Sequence, residues 1–172
     1  ATLYMPLRQI LEATLRHLLG SATVDPTIAA RKYSQQISKT LELKQLADTV
    51  SQALEDAMNV RRSRLLLVDK FEKGDEVITL RLLTDAIDNG NGRDFRFQLA
   101  RNSPILRRWL AERTPVTQFD MEFSPAFKAT ETIELDMLRA LDMSAYAPIM
   151  VDDVLIGVLT CGAKRNGTPF YP

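Results

Sequence analysis

The sequence predicts an α+β fold, in which helices on both faces cover an antiparallel sheet of five to six strands, preceded by an N-terminal helical connector. Apolar residues recur every three or four positions from residue 4 to about residue 57, which is the period of a helix. Short alternating or β-branched runs separated by turn residues follow from residue 64. The run at 154–161 is apolar almost throughout, which is typical of a strand buried on both faces.

The composition is that of an ordinary soluble protein and excludes several functions. The 172 residues are 45% hydrophobic and 26% charged, with 22 basic and 22 acidic side chains, so nothing in the charge indicates nucleic acid or a membrane surface. Neither an apolar run long enough for a membrane span nor a signal peptide is visible, so we expect a cytoplasmic domain, whose parent protein can still be membrane-anchored. The chain has one cysteine, Cys161, and one histidine, His17. We therefore expect neither an intrachain disulfide nor a metal centre.

Three helical segments are predicted before the first strand. The first carries an apolar face made of Tyr4, Leu7, Leu11, Leu15 and Leu18. The second begins at Asp25-Pro26, a helix cap followed by proline in the first turn, and a break is expected near 38–40. The third covers 42–57, and Asn59 can end it in a left-handed conformation. We therefore divide the chain into a connector, residues 1–40, and a domain, residues 41–172.

In the first half of the domain, the sequence predicts three strands and a helix. Residues 64–68 and 77–83 are β-rich runs that form a hairpin, and 95–99 alternates apolar with polar residues after the turn sequence at 89–92. Ser103 is expected to cap a helix that has Pro104 in its first position.

The second half predicts an aromatic loop, a short helix and two strands. Phe119, Phe123 and Phe127 lie in an irregular stretch, and the helix after it places Ile133, Met137 and Leu141 on one side. The strands at 144–151 and 154–162 are joined by Asp152-Asp153, and we expect the second to run through the middle of the sheet.

This order of elements, together with several local sequences, resembles the GAF domain. The matching stretches span residues of about 40 to 172 and are Glu42–Ala57, Arg64–Asp69, Tyr146–Ile149, the turn and G-V-L strand Val151–Leu159, and the loop Gly162–Phe170. The family often has glycine where this chain has Asp142 and in the turn at Asp152-Asp153. Aspartate tolerates the left-handed backbone conformation, so both positions are compatible with the fold.

The resemblance implies a sensory and regulatory module of a larger signalling protein. The family continues into a long output helix after the position of Pro172, so we expect that helix to be missing from these residues. The two leading helices are similar to the connectors of some sensor histidine kinases, which makes such a kinase the expected parent. The apolar face of the first predicted helix has no partner within a single domain. This favours a homodimer formed through the N-terminal helices.

The resemblance also places a small-molecule pocket between the sheet and its loosely built cover. The candidate lining residues cluster in the segments that form this cover and the strands beneath it: Phe95, Phe97, Gln98, Trp109, Phe123, Phe127, Tyr146 and Thr160. For any single aromatic residue, plain core packing is the simpler interpretation. The alternative to a ligand-binding sensor is therefore a domain with a filled core that dimerises and relays signals.

No cofactor and no enzymatic activity are expected of this chain. Haem-binding members of the family need a histidine in the pocket, whereas His17 lies in the connector, and no cysteine stands beside a histidine as bilin carriers require. The cyclic-nucleotide signature is absent too. A redox enzyme like the methionine sulfoxide reductase branch is the remotest alternative, because that chemistry needs several cysteines and the chain has Cys161 alone. A serine, histidine and acid triad is excluded for the domain for want of a histidine.

Overall fold

The computed structural model of the chain describes residues 29–69, 74–83 and 95–170. The predicted stripe of the first helix, His17 and the turn sequence at 89–92 lie outside the described residues. The predicted division at residue 40 therefore stays a prediction.

The first described element is one unbroken helix, α1, which runs from Ala29 to Met58. Its 30 residues correspond to a length of about 45 Å. The predicted break near 38–40 is wrong, because the segment contains neither glycine nor proline and its serine, lysine and threonine do not interrupt helical hydrogen bonding. Asn59 ends the helix with a left-handed φ of 53°, as expected.

Six strands form one antiparallel sheet after α1. They are β1 (Ser63–Val68), β2 (Val77–Leu82), β3 (Arg96–Ala100), β4 (Val116–Thr117), β5 (Ala145–Val151) and β6 (Val154–Cys161), and they lie in the order β3-β2-β1-β6-β5-β4. Strand β6 pairs with β1 on one side and with β5 on the other, which confirms the prediction that it runs through the middle of the sheet.

The face of the sheet opposite α1 is covered by short elements that we call the roof. They are α2 (Pro104–Arg107), a π-helical turn (Arg108–Glu112), α3 (Gln118–Phe123), a 3₁₀ turn (Pro125–Phe127) and α4 (Thr132–Leu141). The stretch that the sequence predicted as an irregular aromatic loop thus contains α3 and the 3₁₀ turn. A reciprocal capping box between Thr117 and Asp120 starts α3, which explains why so short a helix forms here.

Two apolar clusters lie on the two faces of the sheet. Under α1, Val50 and Leu54 pack with Leu65 of β1 and Leu159 of β6. Under the roof, alternate residues of the same strands, including Val158 of β6, join side chains of all the roof elements. Successive side chains of a strand point to opposite faces, so β6 contributes to both clusters, and the predicted arrangement with helices on both faces is confirmed.

Helix α4 is rotated relative to the prediction. Ile133 is 60% exposed, and the buried side chains of α4 are Glu134, Leu138 and Leu141. A carboxylate is buried in place of an isoleucine because Glu134 has hydrogen-bond partners at the end of β3, as described below. The predicted side of Ile133, Met137 and Leu141 is therefore not the buried side of the helix.

Aspartates take the left-handed backbone positions where the family often has glycine. Asp142 ends α4 with φ of 51°, and Asp152 and Asp153 connect β5 to β6 with φ of 46° and 64°. Two consecutive residues with positive φ match the right-handed twist of a tight hairpin. Both departures from the family pattern are thus accommodated, as expected.

Gly157 provides a test of how closely β6 and β1 approach. A Cβ atom at this position would lie 2.7 Å from the backbone oxygen of Leu66, which belongs to the paired strand and has no freedom to move aside. We expect Gly157→Ala to lower the free energy of unfolding by about 1–3 kcal/mol, measured by urea denaturation. The control is Gly162→Ala, where the backbone contact is longer, with the Cγ of Arg62 at 2.9 Å and its backbone oxygen at 3.3 Å, and it should cost less. Equal losses in the two variants would contradict this account.

Candidate functional site

Four of the predicted pocket residues meet in the cluster under the roof. Phe97 of β3, Trp109 of the π turn, Phe127 of the 3₁₀ turn and Tyr146 of β5 belong to this cluster, and none is more than 2% exposed. Phe95 is partly buried and packs against them. Residues from distant parts of the sequence are thus brought together between the sheet and its cover, where the pocket was predicted.

The other three predicted residues occupy different environments. Thr160 is buried opposite Tyr146 in the β5–β6 pairing, and its hydroxyl donates to the backbone oxygen of Arg64 at 3.1 Å. Gln98 is exposed, and its amide lies 3.4 Å from the hydroxyl of Thr79. Phe123 is 65% exposed, with its ring 4.8 Å from that of Phe119. That any of these residues binds a ligand stays a prediction.

Two polar atoms within the roof cluster differ in how they are satisfied. The hydroxyl of Tyr146 donates to the backbone oxygen of Leu138 at 2.9 Å, and burial raises the pKa of this phenol well above its usual range. The indole N–H of Trp109 is buried and finds no hydrogen-bond acceptor among the described residues. An unpaired buried donor costs about 1–3 kcal/mol, so Trp109 is the one predicted residue that has an unmet requirement for an acceptor.

A buried carboxylate that sequence reasoning missed connects α4 to the sheet. Glu134 is 2% exposed, and its two carboxylate oxygens accept from the backbone N–H of Ala100 and from the hydroxyl of Ser103, both at 2.7 Å. Ser103 therefore uses its side chain to hold Glu134 and not to cap α2, as the sequence had suggested. A glutamate between isoleucine and leucine in a short helix is the only sequence signal that indicates this role.

The arginines around the roof are occupied by neighbouring groups. The guanidinium of Arg108 lies 5.6 Å from the ring centre of Phe127, while its Nε is 3.1 Å from the hydroxyl of Thr114 and 3.4 Å from the carboxylate of Glu112. Arg113 forms an ion pair with Asp153 at the β5–β6 turn. Both arginines are therefore engaged by side chains of the domain itself.

Cys161 lies at the end of β6, on the face covered by α1, and is buried. Burial raises the pKa of its thiol to about 11, because the charged thiolate is poorly solvated there. The thiol is therefore protonated and weakly nucleophilic near neutral pH.

The described ranges 29–69, 74–83 and 95–170 contain no group of three or more His, Cys, Asp and Glu side chains that could hold a metal ion. Among the same residues, none of the helices combines the length and the apolar character that a membrane span needs.

The geometry defines a class of protein: an α+β domain in which a long helix covers one face of a six-stranded antiparallel sheet and a roof of short helices covers the other. A sequence model of the GAF domain matches residues 42–172, which is most of the chain. The chain therefore belongs to the GAF domain family.

Several solved structures are similar to this chain. A methyl-accepting chemotaxis protein, residues 122 to 287, is 17% identical with a TM-score of 0.48, and the match covers 80% of this chain and 82% of that one. An A. aeolicus nlh2 GAF domain in an inactive state is 15% identical with a TM-score of 0.38, covering 91% and 76%. The bacteriophytochrome RpBphP3 of R. palustris is 12% identical with a TM-score of 0.43, covering 99% and 34%. No curated protein matches the chain by sequence.

Replacing Glu134 tests whether its carboxylate connects α4 to β3. Glu134→Ala leaves the N–H of Ala100 and the hydroxyl of Ser103 without an acceptor, and we expect it to destabilise the domain by about 2–4 kcal/mol in chemical denaturation. Glu131→Ala is the matched control, since this exposed residue of the same helix start makes no side-chain cap, and it should change stability by less than about 0.5 kcal/mol. Similar effects of the two replacements would show that the buried network contributes nothing.

The raised pKa of Cys161 predicts that the stability of the domain falls at alkaline pH. Its pKa rises from 9 to about 11 on folding, so the folded state holds this proton more tightly than the unfolded state. The protonated thiol makes its full contribution to the free energy of unfolding below pH 9. This contribution, about 2–3 kcal/mol, is lost as the pH rises towards 11. Compared with wild type, Cys161→Ala should therefore lose less stability between pH 8 and 11 in urea titrations. Parallel pH profiles would contradict the prediction.

Proposed function

We propose that this chain is the regulatory module of a larger signalling protein and that it acts by changing how the roof packs on the sheet. The observation that carries the proposal is the single cluster that joins Phe97 and Tyr146 of the sheet to Trp109 and Phe127 of the roof. The roof consists of short segments, so its position depends on these side-chain contacts more than on long-range backbone hydrogen bonding.

Strand β6 supplies a physical route from the roof to α1. Val158 belongs to the cluster under the roof, and its neighbour Leu159 belongs to the cluster under α1. Because packed interiors have little free volume, a displaced roof side chain shifts its neighbours in the sheet. The helix α1 extends from this contact to Ala29, so it can carry the change towards the helices that the sequence predicts before it, through which we propose that two copies pair.

The signal in this proposal is a small molecule that enters among the predicted lining residues. The unpaired indole N–H of Trp109 supports a ligand with a hydrogen-bond acceptor. The filled core around Phe97, Trp109 and Tyr146 favours the alternative, a relay that responds to packing changes without any ligand. In both versions catalysis belongs to an output domain, for which we propose a histidine kinase in the cytoplasm, and the module itself uses no haem, bilin or metal.

Native mass spectrometry combined with hydrogen exchange tests this function. For a ligand sensor, the purified protein should retain a small molecule that is released on denaturation, and Trp109→Phe should lose it while Phe119→Leu, at a 56% exposed position that is not among the predicted lining residues, retains it. For a relay, no added mass is found, and Trp109→Phe should still alter amide exchange along α1. A protein without added mass whose α1 exchange is unaffected by Trp109→Phe would refute both versions. A monomer in sedimentation would contradict the pairing of two copies.

A further inference from the structure

The segment 59–62 joins the end of α1 to the start of β1, and one of its side chains reaches a helix on the opposite face of the sheet. The Nη2 atom of Arg62 donates to the backbone oxygen of Asp142 at 2.8 Å and forms an ion pair with the carboxylate of the same residue. Asp142 is the residue that ends α4. Arg62 therefore connects the segment that follows α1 to a helix of the roof.

Gly162 leaves the space in which this side chain lies. The N–H of Gly162 donates to the backbone oxygen of Arg62 at 2.8 Å, so the two residues are neighbours where β6 continues beside the start of β1. A Cβ atom at position 162 would lie 2.9 Å from Cγ and 3.6 Å from Nε of Arg62. The arginine is therefore packed against the backbone of this glycine, and its route to α4 is set by the sheet.

Two donors hold the last turn of α4 by its backbone oxygens. Tyr146 of β5 donates to the oxygen of Leu138, four residues before the oxygen that Arg62 contacts. The last carbonyl groups of a helix have no partners within it and carry partial negative charge, so a phenol and a guanidinium are suitable donors. Leu138 and Leu141 also belong to the cluster under the roof. A displacement within this cluster therefore acts on the helix end that Arg62 contacts.

The residue after Arg62 is held by α1. The backbone N–H of Ser63 donates to the carboxylate of Glu55 at 2.6 Å, and Glu55 lies in the last turn of α1. The hydroxyl of Ser63 donates to the backbone oxygen of Thr160 in β6 at 2.9 Å. Because the N–H of Ser63 belongs to the planar peptide unit that begins at Arg62, a shift of Arg62 reorients the donor that Glu55 accepts from.

From this arrangement we propose that Arg62 is a positioning residue that transmits a displacement of α4 to the last turn of α1. This inference rests on the proposed function, in which the roof is the layer that moves, and it adds a side-chain route to the one through β6. The side chains of Arg62 and Asp142 are 39% and 85% exposed, and ion pairs between such groups are weak. The transmitted effect is therefore expected to be a change of about threefold in an opening equilibrium.

Residue-resolved amide exchange, measured by nuclear magnetic resonance on the full chain, tests this transmission in a double-mutant cycle. Trp109→Phe perturbs the roof cluster, and the exchange rates of Ser63 and of the last turn of α1 report the effect. We expect Trp109→Phe to raise these rates, and in the Arg62→Met background the increase should be about threefold smaller. At Val50, which packs in the cluster that β6 shares with α1, the increase should be the same in both backgrounds.

Arg139→Met is the matched control, because this arginine lies near the same end of α4 but pairs with Asp136 of the helix itself. It should leave the effect of Trp109→Phe unchanged at every one of these amides. A role of Arg62 in stability alone would be additive with Trp109→Phe, so the cycle separates it from transmission. If Arg62→Met does not fold, Asp142→Gly takes its place, since glycine keeps the left-handed backbone conformation and removes the carboxylate.

The inference is overturned if Trp109→Phe raises the rates at Ser63 and in the last turn of α1 equally in both backgrounds. It is also overturned if Arg139→Met has the same effect as Arg62→Met. An effect of Trp109→Phe at Val50 alone refutes transmission through Arg62 and leaves the proposed function standing. If Trp109→Phe alters no amide of α1, the proposed coupling of the roof to α1 fails, and this inference fails with it.

Discussion

The rest of the structure depends on one constraint, which is that β6 is apolar on both faces and must be covered on both. Its backbone hydrogen bonds are satisfied by β1 and β5, so only its side chains remain to be buried. Val158 is buried under the roof and Leu159 under α1. Burial of each such side chain stabilises the fold by about 1.5–3 kcal/mol. Gly157 meets a different requirement, since it lets the backbone of β1 approach closely. A sheet with such a strand is stable only between two layers of helices.

The two covers are built differently, and the proposed function follows from that difference. On one face, α1 is a single continuous helix with its own ladder of hydrogen bonds. On the other, the roof is a series of short segments held by side chains, among them Trp109 and Phe127 in the core and Glu134 at the end of β3. The roof is therefore the layer that local contacts can reposition, and α1 is the layer that can carry such a change over a distance.

Two buried carboxylates show how similar residues come to have different roles. Glu134 has donors for both of its oxygens within the fold, so its role is structural. Asp120 accepts from the backbone N–H of Thr117 and so completes the capping box that starts α3. Buried polar groups in proteins are normally satisfied, and each of these two carboxylates accepts the hydrogen bond of a backbone N–H.

The sequence by itself determined five of the six strands, the central position of β6, the left-handed aspartates and the GAF family, because strand periodicity and turn preferences are local properties of the chain. Only the tertiary structure decided which way the roof residues face: Ile133 turns outwards because Glu134 finds donors in Ala100 of β3 and in Ser103. The break expected in α1 was wrong for a local reason, since nothing in its sequence stops a helix. The aromatic cluster was predicted in part, because its members lie in the roof or in the strands that the roof covers. The connection made by Glu134 was not predicted, because its partners Ala100 and Ser103 are distant in sequence and no local pattern encodes them.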